Sequence, residues 1–198
     1  LGLFIEADSS WTNSLSTNLG LRTDIVTMDA GNVVGYNNGG MMANLPVDAA
    51  AFNAKSREKK DHNYDATFLT SYKLNQKSDI ELGFARKTRS PNIYERYAWA
   101  GSTTDPATSG AARMDMRMIN WFGDGNGYVG DIDLRPEVAH TLSTSLSLHD
   151  ELQKNWGIKL TPYYTQVENF IDVDLLSTVN GVNYLKFANH DAIIFGAD

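Results

Sequence analysis

The sequence predicts an all-β fold, an antiparallel meander forming about seven strands of a larger transmembrane β-barrel. Three observations lead there. Polar and apolar residues alternate with a period of two over long stretches, aromatic residues cluster near the ends of those stretches, and the links between them are short and very long by turns. A period of two marks a strand with one apolar face, because successive side chains leave a strand on opposite sides.

The clearest strand covers residues 14–25. Leu15, Thr17, Leu19, Leu21, Thr23 and Ile25 fall on one face, opposed by Ser16, Asn18, Gly20, Arg22 and Asp24. Further along, Tyr64, Ala66, Phe68, Thr70 and Tyr72 alternate with Asn63, Asp65, Thr67, Leu69 and Ser71. Ile80, Leu82 and Phe84 then oppose Asp79, Glu81, Gly83 and Ala85. Near residue 140, Val138, Leu142, Leu146 and Leu148 oppose Thr141, Ser143, Ser145 and Ser147, and finally Trp156, Ile158, Leu160, Pro162 and Tyr164 oppose Gly157, Lys159, Thr161 and Tyr163. An apolar band against lipid, aromatic girdles at its borders and a hydrated inner face produce this pattern. A soluble antiparallel sandwich with one face in its core produces the same alternation.

Connection lengths separate the two. Short links near 9–13, 73–78 and 150–155 alternate with long ones over about 26–62 and 89–137. Compact soluble domains rarely carry structureless loops beyond about 12–15 residues, whereas outer-membrane barrels place short turns at one rim and long loops at the other. Seven is odd and single-chain bacterial barrels use even numbers, so residues 1–198 are expected to be a partial barrel that cannot close alone. Both ends fall inside strand-like sequence, as expected for a piece of a longer chain.

Composition narrows function. A net charge of −7 argues against non-specific nucleic-acid binding, which needs Lys and Arg to neutralise phosphates. The absence of cysteine excludes disulfide scaffolds, zinc-thiolate centres, iron–sulfur clusters and cysteine nucleophiles. No apolar run reaches the roughly 18–20 residues of a spanning helix, and mean hydropathy is −0.34; neither bears on a β-barrel, whose alternation averages out.

Five segments resemble, in order, the TonB-dependent outer-membrane receptors. Residues 82–95, Leu-Gly-Phe-Ala-Arg-Lys-Thr-Arg-Ser-Pro-Asn-Ile-Tyr-Glu, are similar to that family's G-F-x-x-x-x-R-x-P-x-x-x-E passage, and Asp133-Leu134-Arg135-Pro136-Glu137 to its N-x-x-L-K-P-E segment. Tyr163-Tyr164 with Asn169 and Ile171 resembles Y-Y-x-x-x-x-D-x-I. Asn189 with Gly196-Ala197-Asp198 resembles N…G-x-E with Asp for Glu, and residues 1–8 with Leu19-Gly20-Leu21-Arg22 resemble Y-x-E-D…L-G-L-R. The resemblance implies a plugged barrel of roughly 22 strands, of which this chain is about a third, with the plug domain and terminal strands outside it. It implies an outer-membrane location in a Gram-negative bacterium, no enzymatic activity and no cofactor. The implied partners are the chain's own plug, a TonB-type energy-coupling protein reached through the N-terminal region, outer-membrane lipid and a small metal-complex ligand. The expected function is energy-coupled import of a scarce nutrient, a ferric siderophore or another metal complex. A soluble secreted all-β binding domain and an outer-membrane barrel enzyme are the competing readings.

Within the second long link, Arg89, Tyr94, Arg96, Tyr97, Trp99, Arg113, Trp121 and Tyr128 are candidate ligand contacts. Aromatics give contact area at low entropic cost and guanidinium forks suit oxygen-rich anions. Met114, Met116 and Met118 alternate in the same link, and thioethers suit Cu(I); adaptable loop packing is the plainer reading. Gly125-x-Gly127-x-x-Gly130 matches a dinucleotide fingerprint, but its flanks do not suit the strand and helix that motif needs. Asp124, Asn126, Asp131 and Asp133 fail the spacing of a calcium loop. His62, His140, His149 and His190 show no ligand spacing and read as ordinary surface or strand residues.

Overall fold

The computed structural model describes residues 1–34, 45–99, 122–152, 155–179 and 181–198. In chain order the elements are β1 (Gly2–Ser10), β2 (Leu15–Met28), α1 (Leu45–Asn53), β3 (Lys59–Asn75), β4 (Ser78–Arg89), α2 (Ile93–Tyr97), β5 (Gly127–Val129), β6 (Glu137–His149), β7 (Gly157–Leu160), β8 (Pro162–Val179) and β9 (Val182–Ala197). One sheet contains all the strands, in the order β1-β2-β3-β4-β6-β8-β9-β5, with β7 also beside β6. Every pairing is antiparallel except the short β5, which runs parallel to β9.

Strands β7 and β8 are one strand in two pieces. Leu160 faces Leu146 and Tyr163 faces Ser143, a single unbroken register along β6. Between them Pro162 supplies no N–H, so the ladder lapses for a residue. Counted this way the meander has seven long strands among the described residues, the number the alternation predicts.

Register sorts the side chains into two faces. Leu19, Phe68, Phe84, Leu142, Tyr164 and Phe195 oppose one another in turn across six strands. They form a continuous apolar row, and all six are at least 42% exposed. Leu21, Leu82, Leu146, Ile158 and Leu160 share that face and are exposed as well. The opposite face carries Asn18, Arg22, Asp65, Glu81, Ser145 and Lys159, as the sequence predicts. There Asn18 donates to Asp8 at 2.7 Å, Lys159 pairs with Glu81 at 2.6 Å, and the hydroxyls of Ser145 and Thr161 meet at 2.9 Å. Among the described residues no second layer covers the apolar face. Burying one side chain of this size is worth roughly 1.5–3 kcal/mol, a gain that a sheet in water would forgo along the whole row. Lipid supplies the missing environment.

Three features depart from the sequence reading. The link between β8 and β9 is a tight turn, with Gly181 at φ +80°, so short and long links do not alternate strictly. Asn-Gly is the strongest short hairpin signal. The long links also carry α1, α2 and β5, and are not structureless. Finally, β8 slips register between Val167 and Phe170, with Asn169 at φ 55°. One extra residue at such a bulge reverses the alternation that follows.

The buried apolar cluster lies in the second long link. Tyr128 and Leu134 pack on Ile171 and Phe187 of the β8–β9 hairpin, with Ala98, Val173 and Leu185 around them. In the full-length protein, Phe84→Lys on the apolar face should cost roughly 2–4 kcal/mol of stability in lipid. Asn18→Lys, which meets Asp8 and Glu6 on the polar face, should cost far less. Equilibrium unfolding from lipid vesicles measures both, and equal losses would disprove the assignment of faces.

Candidate functional site

Arg89 closes β4 directly opposite Glu137, the first residue of β6. Its Nε donates to Glu137 Oε2 at 2.5 Å, and its Nη1 reaches both carboxylate oxygens of Glu95 in α2 at 3.1 and 3.0 Å. Glu95 also accepts from the backbone of Asn92 at 2.7 Å, while Asn92 Oδ1 accepts from Tyr94 N and Glu95 N, each at 2.9 Å. This reciprocal capping box starts α2 immediately after Pro91 and satisfies donors that a helix end otherwise leaves bare.

Glu137 uses its other oxygen, Oε1, to accept from Ile171 N at 2.6 Å, beside the bulge in β8. Asn189 of β9 completes the arrangement. Its side chain accepts from Arg135 N at 2.8 Å and donates to Arg135 O at 3.0 Å and to Asn169 O at 2.7 Å. The motifs quoted from four separate stretches of chain therefore meet in one knot, through Arg89 and Glu95, Arg135 and Glu137, Asn169 and Ile171, and Asn189.

Among the described residues Arg96 is the most deeply buried cation, at 2% exposure. Its Nη2 donates to Asp61 Oδ1 at 2.8 Å and to Leu134 O at 3.0 Å, and its Nη1 approaches Met28 Sδ at 3.7 Å. Asp61 and Met28 belong to β3 and β2, so this side chain ties α2 to the strands that flank the first long link. Gly130 passes so close that a Cβ there would lie 2.8–2.9 Å from the backbone of Arg96 and Ala98, which accounts for glycine at that position.

Tyr97 and Trp99 also join the two long links. Tyr97 donates its hydroxyl to Arg57 O at 2.7 Å, and burial raises its phenol above the ordinary value of 10.0. Trp99 tilts against Phe52 of α1 with ring centroids 6.2 Å apart. Tyr128 packs edge-on to Phe122 at 4.8 Å and donates to Asp124. Tyr94 is 46% exposed, beside exposed Ile93. Arg113 and Trp121, like Met114, Met116 and Met118, lie outside the described residues.

The remaining motifs resolve in the same region. Gly127–Val129 is a strand that no helix follows, so no pyrophosphate cradle forms. Asp131 pairs with Lys186 at 2.6 Å and Asp133 with Lys59 at 2.8 Å, which commits those carboxylates to lysines. Among the described residues no three acidic or imidazole groups cluster as a metal site. His149 bonds Asp79 at 2.9 Å and His190 lies 3.2 Å from Asp174. Asp61, Glu95, Glu137 and Asn189 carry the structure of the site, yet sequence reasoning singled out none of them as functional. The last three stand inside the quoted motifs, which was the available signal.

Buried and hydrogen-bonded as it is, the Arg96–Asp61 pair makes a strong prediction. Arg96→Ala strands Asp61 and should destabilise the link by about 3–5 kcal/mol, whereas Arg96→Met with Asp61→Leu should cost much less. Hydrogen exchange across residues 122–136 of the full-length protein reads both, and equal effects would remove the pair from its assigned role.

A second expectation concerns pH. Hydrogen bonding from Tyr128 holds the Asp124 carboxyl below its ordinary 3.8, and Lys59 does the same for Asp133. A carboxyl with a depressed folded pKa stabilises above its unfolded value and loses that contribution as pH falls through the folded one. Protection of the link should thus stay level between about pH 5 and 8 and fall only below about pH 4. A loss centred near pH 6 would contradict this account.

Comparison with known proteins places the fold. A family model described as "TonB dependent receptor-like, beta-barrel" matches residues 1–198. No curated protein matches the chain. Among solved structures, the siderophore receptor PirA from Pseudomonas aeruginosa is 16% identical with a TM-score of 0.60, covering 99% of this chain and 29% of that one. The copper transporter OprC is 16% identical with a TM-score of 0.68, covering 99% and 25%. A double mutant of the Serratia marcescens hemophore receptor HasR, in complex with its hemophore HasA and heme, is 13% identical with a TM-score of 0.57, covering 99% and 30%. The chain thus spans 25–30% of the length of these relatives. The soluble-domain and barrel-enzyme readings give way to the matched family, one of outer-membrane receptor β-barrels of Gram-negative bacteria. With its seven-strand meander, its uncovered apolar face and its motif knot at the long-link rim, the chain belongs to the TonB-dependent receptor β-barrel family.

Proposed function

We propose that the receptor containing this barrel segment imports a scarce nutrient across the outer membrane with energy supplied from outside the barrel, and that its cargo is a ferric siderophore or a related metal complex. The observation that carries this reading is the division of one sheet into an apolar outer face and a hydrogen-bonded polar inner face, with the long links gathered at one rim. The polar face suits a plug domain held by hydrogen bonds, and a TonB-type protein acting through the receptor's N-terminal region would move that plug. Both lie outside this chain.

Cargo capture is assigned to the second long link. Arg89, Arg96, Tyr97, Trp99 and Tyr128 are engaged within the rim, so their part is to present the outer surface rather than to grip the cargo directly. Tyr94, Arg113 and Trp121 are the proposed contacts, because aromatic and arginine anchors concentrate binding energy. A pre-ordered base lowers the ordering entropy that binding would otherwise incur.

Copper is the second reading. Met114, Met116 and Met118 favour it through three alternating thioethers in the same link. Replacing Arg113 and Trp121 by alanine in the full-length receptor should abolish uptake of ferric siderophores, and replacing the three methionines by leucine should leave it nearly intact. Copper is assigned instead if the methionine variant loses copper uptake while the Arg113 and Trp121 variant keeps it. If deletion of residues 100–121 left uptake and binding of every tested metal complex unchanged, the capture role would be refuted.

A further inference from the structure

Asp61 and Asn63 stand two residues apart on β3, opposite Val26 and Asp24 of β2. Successive side chains of a strand alternate, so both continue the polar face of Asp65 up to the rim. There Arg96 and Ser90 bond to them. Burial is nearly complete, with Arg96 at 2% exposure, Asn63 at 7% and Asp61 at 8%.

The Arg96–Asp61 contact is one-pronged. Nη2 meets Oδ1 at 2.8 Å, whereas a guanidinium and a carboxylate frequently exchange two parallel bonds. Arg96 Nε and Asp61 Oδ2 are each buried with no hydrogen-bond partner among the described residues. Nε shares Cζ with Nη2, and Oδ2 shares Cγ with Oδ1, so this donor and this acceptor flank the same contact. Asn63 adds a third group. Its Nδ2 donates to Ser90 Oγ at 3.0 Å, while its Oδ1 is buried and likewise unpartnered among the described residues.

Buried polar atoms in folded proteins are bonded, either to the chain or to an ordered molecule. These three atoms restrict what that molecule can be. The Arg96 Nε–H needs an acceptor, which excludes a metal cation: a cation accepts no hydrogen bond and would face the guanidinium charge. Asp61 Oδ2 and Asn63 Oδ1 need donors, which excludes an anion. A small neutral group with two O–H donors and a lone pair answers all three.

We infer that one buried water molecule bridges Asp61, Asn63 and Arg96, donating to the two oxygens and accepting from Nε. Three bonds is the usual complement of a water inside a protein. The water belongs to the seat on which α2 rests against β3, so that seat is a wet joint beside the dry cluster around Tyr128. The inference does not depend on what the receptor transports.

The full-length protein is crystallised and refined at a resolution that shows ordered water. Density for one water within about 2.7–3.2 Å of Asp61 Oδ2, Asn63 Oδ1 and Arg96 Nε is expected. A turned Asn63 amide donating directly to Asp61 Oδ2, a two-pronged Arg96–Asp61 pair, or an ion in that place overturns the inference. Exchange measurements supply a second test. Asn63→Leu should lower hydrogen-exchange protection across residues 93–98 about tenfold in the wild-type chain. Its effect should be clearly smaller where Asp61→Leu and Arg96→Met are already present, because the water couples Asn63 to the ion pair. Equal factors in the two backgrounds would show that Asn63 serves Ser90 alone, and the inference falls. The milder Asn63→Ser gives the same comparison if Asn63→Leu does not fold.

Discussion

Every backbone N–H and C=O that lies in hydrocarbon needs a partner inside the protein, since lipid offers none. That constraint organises the rest of the molecule. It calls for long strands paired with their neighbours, on both sides for β2, β3, β4, β6 and β8, and it permits the apolar residues to face outward. The continuous row from Leu19 to Phe195 would be a serious aggregation hazard in water. Here it defines the solvent for which the sheet is built. Polar side chains are correspondingly confined to one face, where Asn18, Glu81, Ser145 and Lys159 find partners on neighbouring strands.

At the rim the physics reverses. The dry cluster around Tyr128, Leu134, Ile171 and Phe187 resembles the interior of a small soluble domain, and the charges near it are paired. A charged group removed from water is tolerable only with partners in place, and Arg96 finds Asp61 and Leu134 O, while its Nε and Asp61 Oδ2 stay buried without a hydrogen bond among the described residues. The Arg89–Glu95–Glu137 arrangement holds both ends of the second long link together, so the link behaves as a folded insertion with a fixed base. The same knot explains how its motif residues, tens of positions apart in sequence, belong together.

Much of this architecture was legible in the sequence and some was not, for identifiable reasons. Alternation exposed the strands and their faces because a period of two is a local signal, and Leu15 through Ile25 displays it over a whole strand. The tight hairpin after Val179 was equally local in Asn180-Gly181, yet the expectation of alternating link lengths masked it. Long-range partners were another matter. Nothing near Glu137 announces that its two oxygens serve Arg89 and Ile171, and nothing near Arg96 announces Asp61. The same residues that read as candidate ligand contacts, an arginine and several aromatics in a long link, are also what a folded link needs for its interior. Composition does not distinguish a binding surface from a packed one.

The short parallel strand β5 has a mechanical consequence. Beyond Asn169 the β8–β9 hairpin rises past the start of β6 as a ribbon of two strands, and an isolated ribbon of that kind is marginal in water. By laying Gly127–Val129 along Tyr184, Leu185 and Lys186, the second long link buttresses it with a third strand and an apolar footing. The dependence runs both ways, as between two leaning walls. A protease that nicked the link would also let the crest of the hairpin fray, and an antibody raised against that crest would sense damage inflicted on a segment some sixty residues earlier in the chain.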